Sequence, residues 1–207
     1  MVASAVSVAA TQNGRMVLEL PPDVHPATSI RSALLQSSLV AVERLGMTQR
    51  YFDALDPESA TTIRNLVVGQ WYPMSLGVAH YGAIDSLGLS SAQAKANGRL
   101  VAEKVQVGFA STIFRGIGTA ITPLDALKRS RAFLDRLMQG GGVCVEQRGP
   151  KDARVSIIKV PIGRFDYVRN GWAGMFEATL GLLTYRTLVR VVPTHGGDDV
   201  VIDVAWV

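Results

Sequence analysis

Few residues in this chain are placed to do chemistry, and their spacing limits what they can do. Three histidines, His25, His80 and His195, and one cysteine, Cys144, are the only imidazoles and thiol, and they lie far apart in the sequence. Structural zinc sites need clustered Cys and His ligands, so a metal centre is not expected. There is no Gly-x-Ser-x-Gly turn to present a nucleophile, no His-Glu-x-x-His helix, no Gly-x-Gly-x-x-Gly and no Walker loop. Gly116-Ile117-Gly118 and Gly140-Gly141-Gly142 lack the Lys-Ser/Thr that completes a phosphate loop, and both read as turns.

His80 falls on a helical pattern beside Leu76, Ala83, Ile84 and Leu87. Asp85, the one acid at nearby spacing, points elsewhere, so the ring reads as a hydrogen-bonded core histidine and not as a base or ligand. His25 in a Pro-rich loop and His195 in a turn read as solvated. Cys144 alternates with Val143 and Val145 in a strand pattern, as packed thiols do, with a pocket-lining role left open. Lys128, Arg129, Arg131 and Arg136 share a helix with Asp125 and Asp135, which suits an ion-paired, solvated face better than a phosphate-binding one. Glu177 is the lone charge on an apolar helix. Its sequence leaves two readings open, exposed beside arginines or buried and hydrogen-bonded. With no nucleophile, acid–base pair or ligand cluster, an enzyme is not expected.

The elements that position these residues are legible from periodicity. The densest is Tyr167 to Leu183, where Val168, Trp172, Met175, Phe176, Thr179, Leu182 and Leu183 form a bulky helical stripe. Gly171, Gly174, Ala178 and Gly181 form a second stripe of small residues. Each interior Gly costs roughly 1 kcal/mol relative to Ala, which calls for a closely approaching neighbour. We expect that stripe to lie on a sheet, with the bulky one packing elsewhere. Tyr185 to Val192 and Val200 to Val207 read as a hairpin, with Val200, Ile202, Val204 and Trp206 on its buried face. Val143 to Arg148 and Ala153 to Val160 read as another, joined by Gly149-Pro150-Lys151-Asp152.

Upstream the chain is helical. Ala33 to Leu45 ends at Gly46, and Thr48 to Leu55 adds one or two turns. Asp56-Pro57-Glu58 starts a helix with a capping carboxylate and a proline at its first position. Pro73 to Leu87 stops at Gly88, Ser90 caps a helix to about Val107, and a shorter piece spans Ser111 to Ile117. Thr122-Pro123-x-Asp125 begins a helix that should run to the glycine triplet. Expected fold class is α+β: a mainly helical part, 16–142, then strand-strand-helix-strand-strand, 143–207, in one domain behind a disordered tail, 1–15.

Trp71-Tyr72-Pro73, the Thr122-Pro123 helix, Gly171-Trp172-x-Gly174-x-x-Glu177 and Val204-x-Trp206, in this order, resemble an uncharacterised family of myxobacterial proteins. That family is similar in layout to the heme-NO-binding and 4-vinyl-reductase-like ligand-binding superfamily, which includes a lipid-channel subunit of the TRAPP complex. The resemblance spans Ser29 to Val207 and implies an apolar pocket between helices and an antiparallel sheet. Heme-binding relatives place a ligating His on the helix before the sheet and carry Tyr-x-Ser-x-Arg. Here Thr122 to Gln139 contains no His and none of the five tyrosines starts that motif. No cofactor is therefore expected.

The 21 basic and 17 acidic residues are scattered, so the net charge of +4 makes no nucleic-acid surface. No window is apolar enough to span a membrane, and a single cysteine suits a reducing cytoplasm. The expected function is a non-enzymatic binding or sensory domain for a small hydrophobic molecule or lipid, its pocket lined by Trp71, Tyr72, Phe109, Phe114, Phe133, Trp172 and Phe176. The alternative is a protein-interaction or homodimerisation module whose pocket is filled.

Overall fold

The computed structural model describes residues 14–114, 121–194 and 197–207, with 103–114 described by backbone alone. Residues 1–13 of the expected tail lie outside the described residues. Arg15, placed by sequence in that tail, instead opens strand β1 (Arg15–Leu18).

The chain is α+β. A five-stranded antiparallel sheet has the order β1-β5-β6-β8-β7, with β5 Gly142–Gly149, β6 Asp152–Ile158, β7 Thr187–Val192 and β8 Val200–Trp206. Its register aligns Val145, Val155 and Ile202 across three strands, and all three are fully buried. Strict alternation in β8 buries Val200, Ile202, Val204 and Trp206, because successive side chains leave a strand on opposite faces.

The helical part begins with α1 (Ser32–Arg44) and α2 (Thr48–Asp53), separated by Gly46 at φ 67°. Helix α3 (Pro57–Arg64) starts where Asp56 accepts from the Ser59 backbone N–H at 2.9 Å. Helix α4 (Met74–Asp85) is followed by Gly88 at φ 71°. Helix α5 (Ser91–Phe114) is continuous where two pieces were expected; residues 115–117 of the second lie outside the described residues. The expected helix from Thr122 is broken at Arg129 into α6 (Pro123–Lys128) and α7 (Ser130–Leu137). Thr122 and Asp125 cap it reciprocally.

A second sheet escaped sequence reasoning. Strands β2 (Ser29–Arg31), β3 (Trp71–Pro73) and β4 (Met138–Gln139) pair in the order β3-β2-β4. Two- and three-residue strands carry no measurable period, and their partners are remote in sequence. Gly140 and Gly141, at φ 91° and 73°, turn the chain from β4 into β5, and the Gly141 N–H donates to His25 O at 2.8 Å. Of the triplet read as a turn, Gly140 and Gly141 make the turn and Gly142 already belongs to β5.

Helix α8 (Asp166–Gly181) lies between the two parts. Its N-terminus is capped from α4, where Asp85 accepts the Tyr167 N–H at 2.8 Å.

Candidate functional site

The two faces of α8 are exchanged relative to expectation. A Cβ at Gly174 would overlap the Lys95 carbonyl oxygen, and one at Gly98 would overlap the Gly171 carbonyl. The small stripe therefore meets α5 and not the sheet. Ala94, Gly98 and Ala102, spaced by four, supply the matching small stripe on α5, and all three are buried. Two helices can close to backbone contact at glycines, whereas a helix resting on a sheet needs bulky side chains to fill the wider separation. Gly181 is not part of the contact, since nothing lies within 4 Å of a Cβ there.

Glu177 sits beside this crossing. It pairs with Lys95 at 3.0 Å and Arg99 at 3.1 Å, and Lys95 also donates to Val189 O of β7 at 3.0 Å. Partial burial pushes the carboxyl up, but hydrogen bonds from Lys95 and Arg99 outweigh it and hold Glu177 below the usual carboxylate range.

The bulky face of α8 turns toward α6, α7 and the sheet. There Trp172, Met175, Phe176 and Leu180 meet Leu127, Phe133, Leu134, Leu137, Val143 and Ile157 around an apolar cavity of about 70 Å³. Two hydroxyls reach it, Ser130 and Thr179. Ser130 is occupied, donating to Leu127 O at 2.6 Å, and Thr179 also has a partner.

Three of the seven expected pocket residues, Phe133, Trp172 and Phe176, line this cavity. Trp71 and Tyr72 do not. They belong to β3, where Arg31 stacks 4.6 Å above the Trp71 ring and Tyr72 Oη accepts from the Val67 N–H at 2.9 Å. The restart before Pro73 marks a paired strand, not a pocket wall. The side chains of Phe109 and Phe114 lie outside the described residues. The sequence reading missed Leu127, Leu134, Leu137, Val143 and Ile157, whose inward periodicity marked them as core without distinguishing a cavity edge.

A separate polar core fills the helical part. His80 is fully buried, and its Nδ1 lies 2.5 Å from Tyr51 Oη. The His80 and Tyr81 rings meet edge to face at 4.7 Å, Tyr81 stacks on Tyr167 at 6.1 Å, and Tyr81 Oη bonds Ser38 Oγ at 3.1 Å. His80 Nε2 and Asn97 Nδ2 are buried without a hydrogen-bond partner. Burial pushes the His80 imidazolium down to about 3, so the ring is neutral. Burial pushes Tyr51 and Tyr81 up, and Tyr167 up to about 12.

Other candidates resolve as structural. Lys128 pairs with Asp125 at 3.3 Å and Arg131 with Asp135 at 2.9 Å, an ion-paired face. Cys144 is buried on β5 and does not line the cavity, and burial pushes its thiol up. His25 is exposed, and His195 and Gly116 to Gly118 lie outside the described residues. No group of three or more His, Cys, Asp or Glu is placed to hold a metal ion among the described residues. No described helix is long and apolar enough to cross a membrane.

No protein-family model matches the sequence, and no curated protein is detectably similar to it. Solved structures are. An oxygen-binding H-NOX domain related to soluble guanylate cyclases, in its oxygen complex, superimposes with a TM-score of 0.57 at 10% identity, covering 86% of this chain and 95% of that one. A structure described for the modulation of heme redox potential through protein-induced porphyrin distortion gives 0.54 at 11% identity, covering 86% and 100%. A point mutant of the T. tengcongensis H-NOX gives 0.52 at 9% identity, covering 86% and 97%. The chain thus has the heme-NO-binding fold. At such identities the likeness speaks to architecture alone.

Proposed function

We propose that this chain is a non-enzymatic, cytoplasmic binding domain that takes a small hydrophobic ligand in the cavity between α7, α8 and the sheet. The observation that carries the reading is the cavity's lining. Among the described residues it is hydrocarbon and aromatic apart from two hydroxyls that already have partners, so a ligand gains chiefly from apolar contact. Size narrows the class. An apolar cavity of about 150 Å³ accepts benzene. At about 70 Å³ this one takes a ligand of a few heavy atoms unless Phe133, Phe176 or Met175 turns aside.

Heme, the group whose redox potential is the subject of one of the fold relatives, does not fit the described residues. His25 is on an exposed loop, His80 is on α4 with Nδ1 engaged by Tyr51, and neither lines the cavity. The volume of about 70 Å³ is also a small fraction of the roughly 300–1,000 Å³ of pockets that enclose large ligands.

The small volume equally favours a second reading, an interaction module whose pocket has been filled by its own side chains. Thermal shift against short-chain and long-chain fatty acids and small aromatics separates the two. A ligand that binds only the folded state raises the melting temperature with concentration. A rise for small apolar compounds, abolished by Phe133→Asp, is the expected result. No shift with any compound supports the filled module.

A further inference from the structure

The segment between α3 and β3, residues 65–70, presents apolar side chains to solvent from a backbone that is tied down. Val67 is 56% exposed and Val68 79% exposed. The Val67 N–H donates to Tyr72 Oη at 2.9 Å and the Gly69 N–H to Ser32 Oγ at 2.9 Å. Gln70 N–H returns to Val67 O at 3.3 Å, and Gln36 Nε2 donates to Leu66 O at 3.4 Å. Two adjacent valines are therefore held in a loop fixed by four hydrogen bonds, and both leave most of their surface exposed.

Two arginines flank the loop, with Asp53 next to Phe52 as the nearest acid in sequence to the ring that holds Arg64. Arg31 lies over the half-buried Trp71, and Arg64 lies 3.6 Å over the ring of Phe52. Stacking on aromatic faces fixes both guanidiniums beside the loop while leaving them without a carboxylate partner among the described residues. Asp56 and Glu58 stand at the opposite end of α3, about 12 Å of helix away. Two exposed valines, a half-buried tryptophan and two arginines on the loop and its flanks are the side-chain types that suit the headgroup region of an anionic bilayer, where apolar groups enter below the phosphates, indoles sit at the interface and guanidiniums meet the phosphates.

We propose that residues 65–70, with Trp71, Arg31 and Arg64, form a peripheral contact for an anionic lipid surface. The net charge of +4 favours approach to such a surface, and the pre-ordered loop gives up little conformational freedom on contact.

The test is co-sedimentation of the full chain with phosphatidylcholine vesicles, with and without phosphatidylserine, at low and high salt. Binding is expected to phosphatidylserine vesicles, to weaken with salt, and to fall at least tenfold in Val67→Asp/Val68→Asp. Arg64→Ala should weaken it about fivefold, the value of one basic residue near an anionic surface. Because these side chains are exposed, unchanged circular dichroism is expected in both variants. Binding to neither vesicle, equal binding to both, or binding that survives the double aspartate variant overturns the proposal. Retention on polyglutamate without vesicle binding also overturns it and assigns the loop to an acidic protein partner.

Discussion

Around His80 the buried groups are an imidazole, three phenols, a hydroxyl and an amide, whereas between α7, α8 and the sheet they are almost entirely hydrocarbon. Both regions pack against the same helix, with Tyr167 at one end of α8 and Trp172 to Leu180 along the rest. A polar core is directional: its hydrogen-bonded groups need partners at a set distance and angle, and with His80 Nε2 and Asn97 Nδ2 already lacking one, further losses there are costly. An apolar core has no such demand. It can hold a cavity, and side chains can shift around a guest without leaving a donor unpaired. The proposed ligand site lies on the apolar side of α8, and the hydrogen-bonded aromatic cluster lies on the polar side.

The largest way to sharpen that contrast is Trp172→Ala, which should cost about 3–5 kcal/mol by enlarging an apolar cavity. Adding indole or a similar small aromatic should restore part of the melting temperature, because the enlarged space stays apolar. Tyr81→Ala in the polar core should show no such recovery. Equal rescue of the two variants would break the comparison.

Acid should act on the polar side first. The neutral ring of His80 keeps a pKa of about 3 in the folded chain, against 6.5 when unfolded, so the unfolded state takes up the proton first as pH falls. Stability is full above 6.5 and is lost progressively toward 3. At about pH 5 the loss amounts to about 2 kcal/mol. Glu177 and Asp203 are held below their usual range, so their contribution is present above ordinary carboxylate pKa values and fades only at lower pH. Hydrogen exchange should therefore accelerate in α2 and α4 before it does in β6 and β8. A uniform response, or one unchanged in His80→Leu, would remove the polar core as the acid-sensitive element.

The smallest effects come from the seam. Gly174→Leu drives a side chain into the Lys95 carbonyl and should destabilise by about 1–3 kcal/mol. Gly181→Ala, with open space at its Cβ, should stabilise by up to about 1 kcal/mol. A denaturation midpoint that rises in Gly174→Leu would show that α8 and α5 are not in backbone contact.

Much of this arrangement could be read before the structure, and the misses share a cause. Helix starts at Asp56 and Thr122 and the stop at Gly88 were legible because the residues that form a cap also supply its hydrogen bonds or its positive φ. The break at Arg129 was not, since the apolar spacing continues through it. His80 was recognised as a core histidine, but Tyr51 is 29 residues away and no local pattern announces the pair. Asp85 was dismissed as facing elsewhere, and it caps α8 from another helix. Among the pocket aromatics, Trp172 and Phe176 were found because they share a helical face with Met175. Trp71 and Tyr72 were misplaced because aromatic side chains serve a short strand as readily as a cavity.

What the sequence determined by itself is local and periodic: most of the longer helices and strands, and that α8 has a small face and a bulky one. What only the tertiary structure decided is which partner each face meets. Periodicity states that a side chain is buried and not against what, and both stripes of α8 satisfy burial equally on either neighbour. The choice was made by distance: glycines at Gly98, Gly171 and Gly174 let two helices touch backbone to backbone, and the sheet, standing farther off, required Trp172, Met175 and Phe176 to reach it.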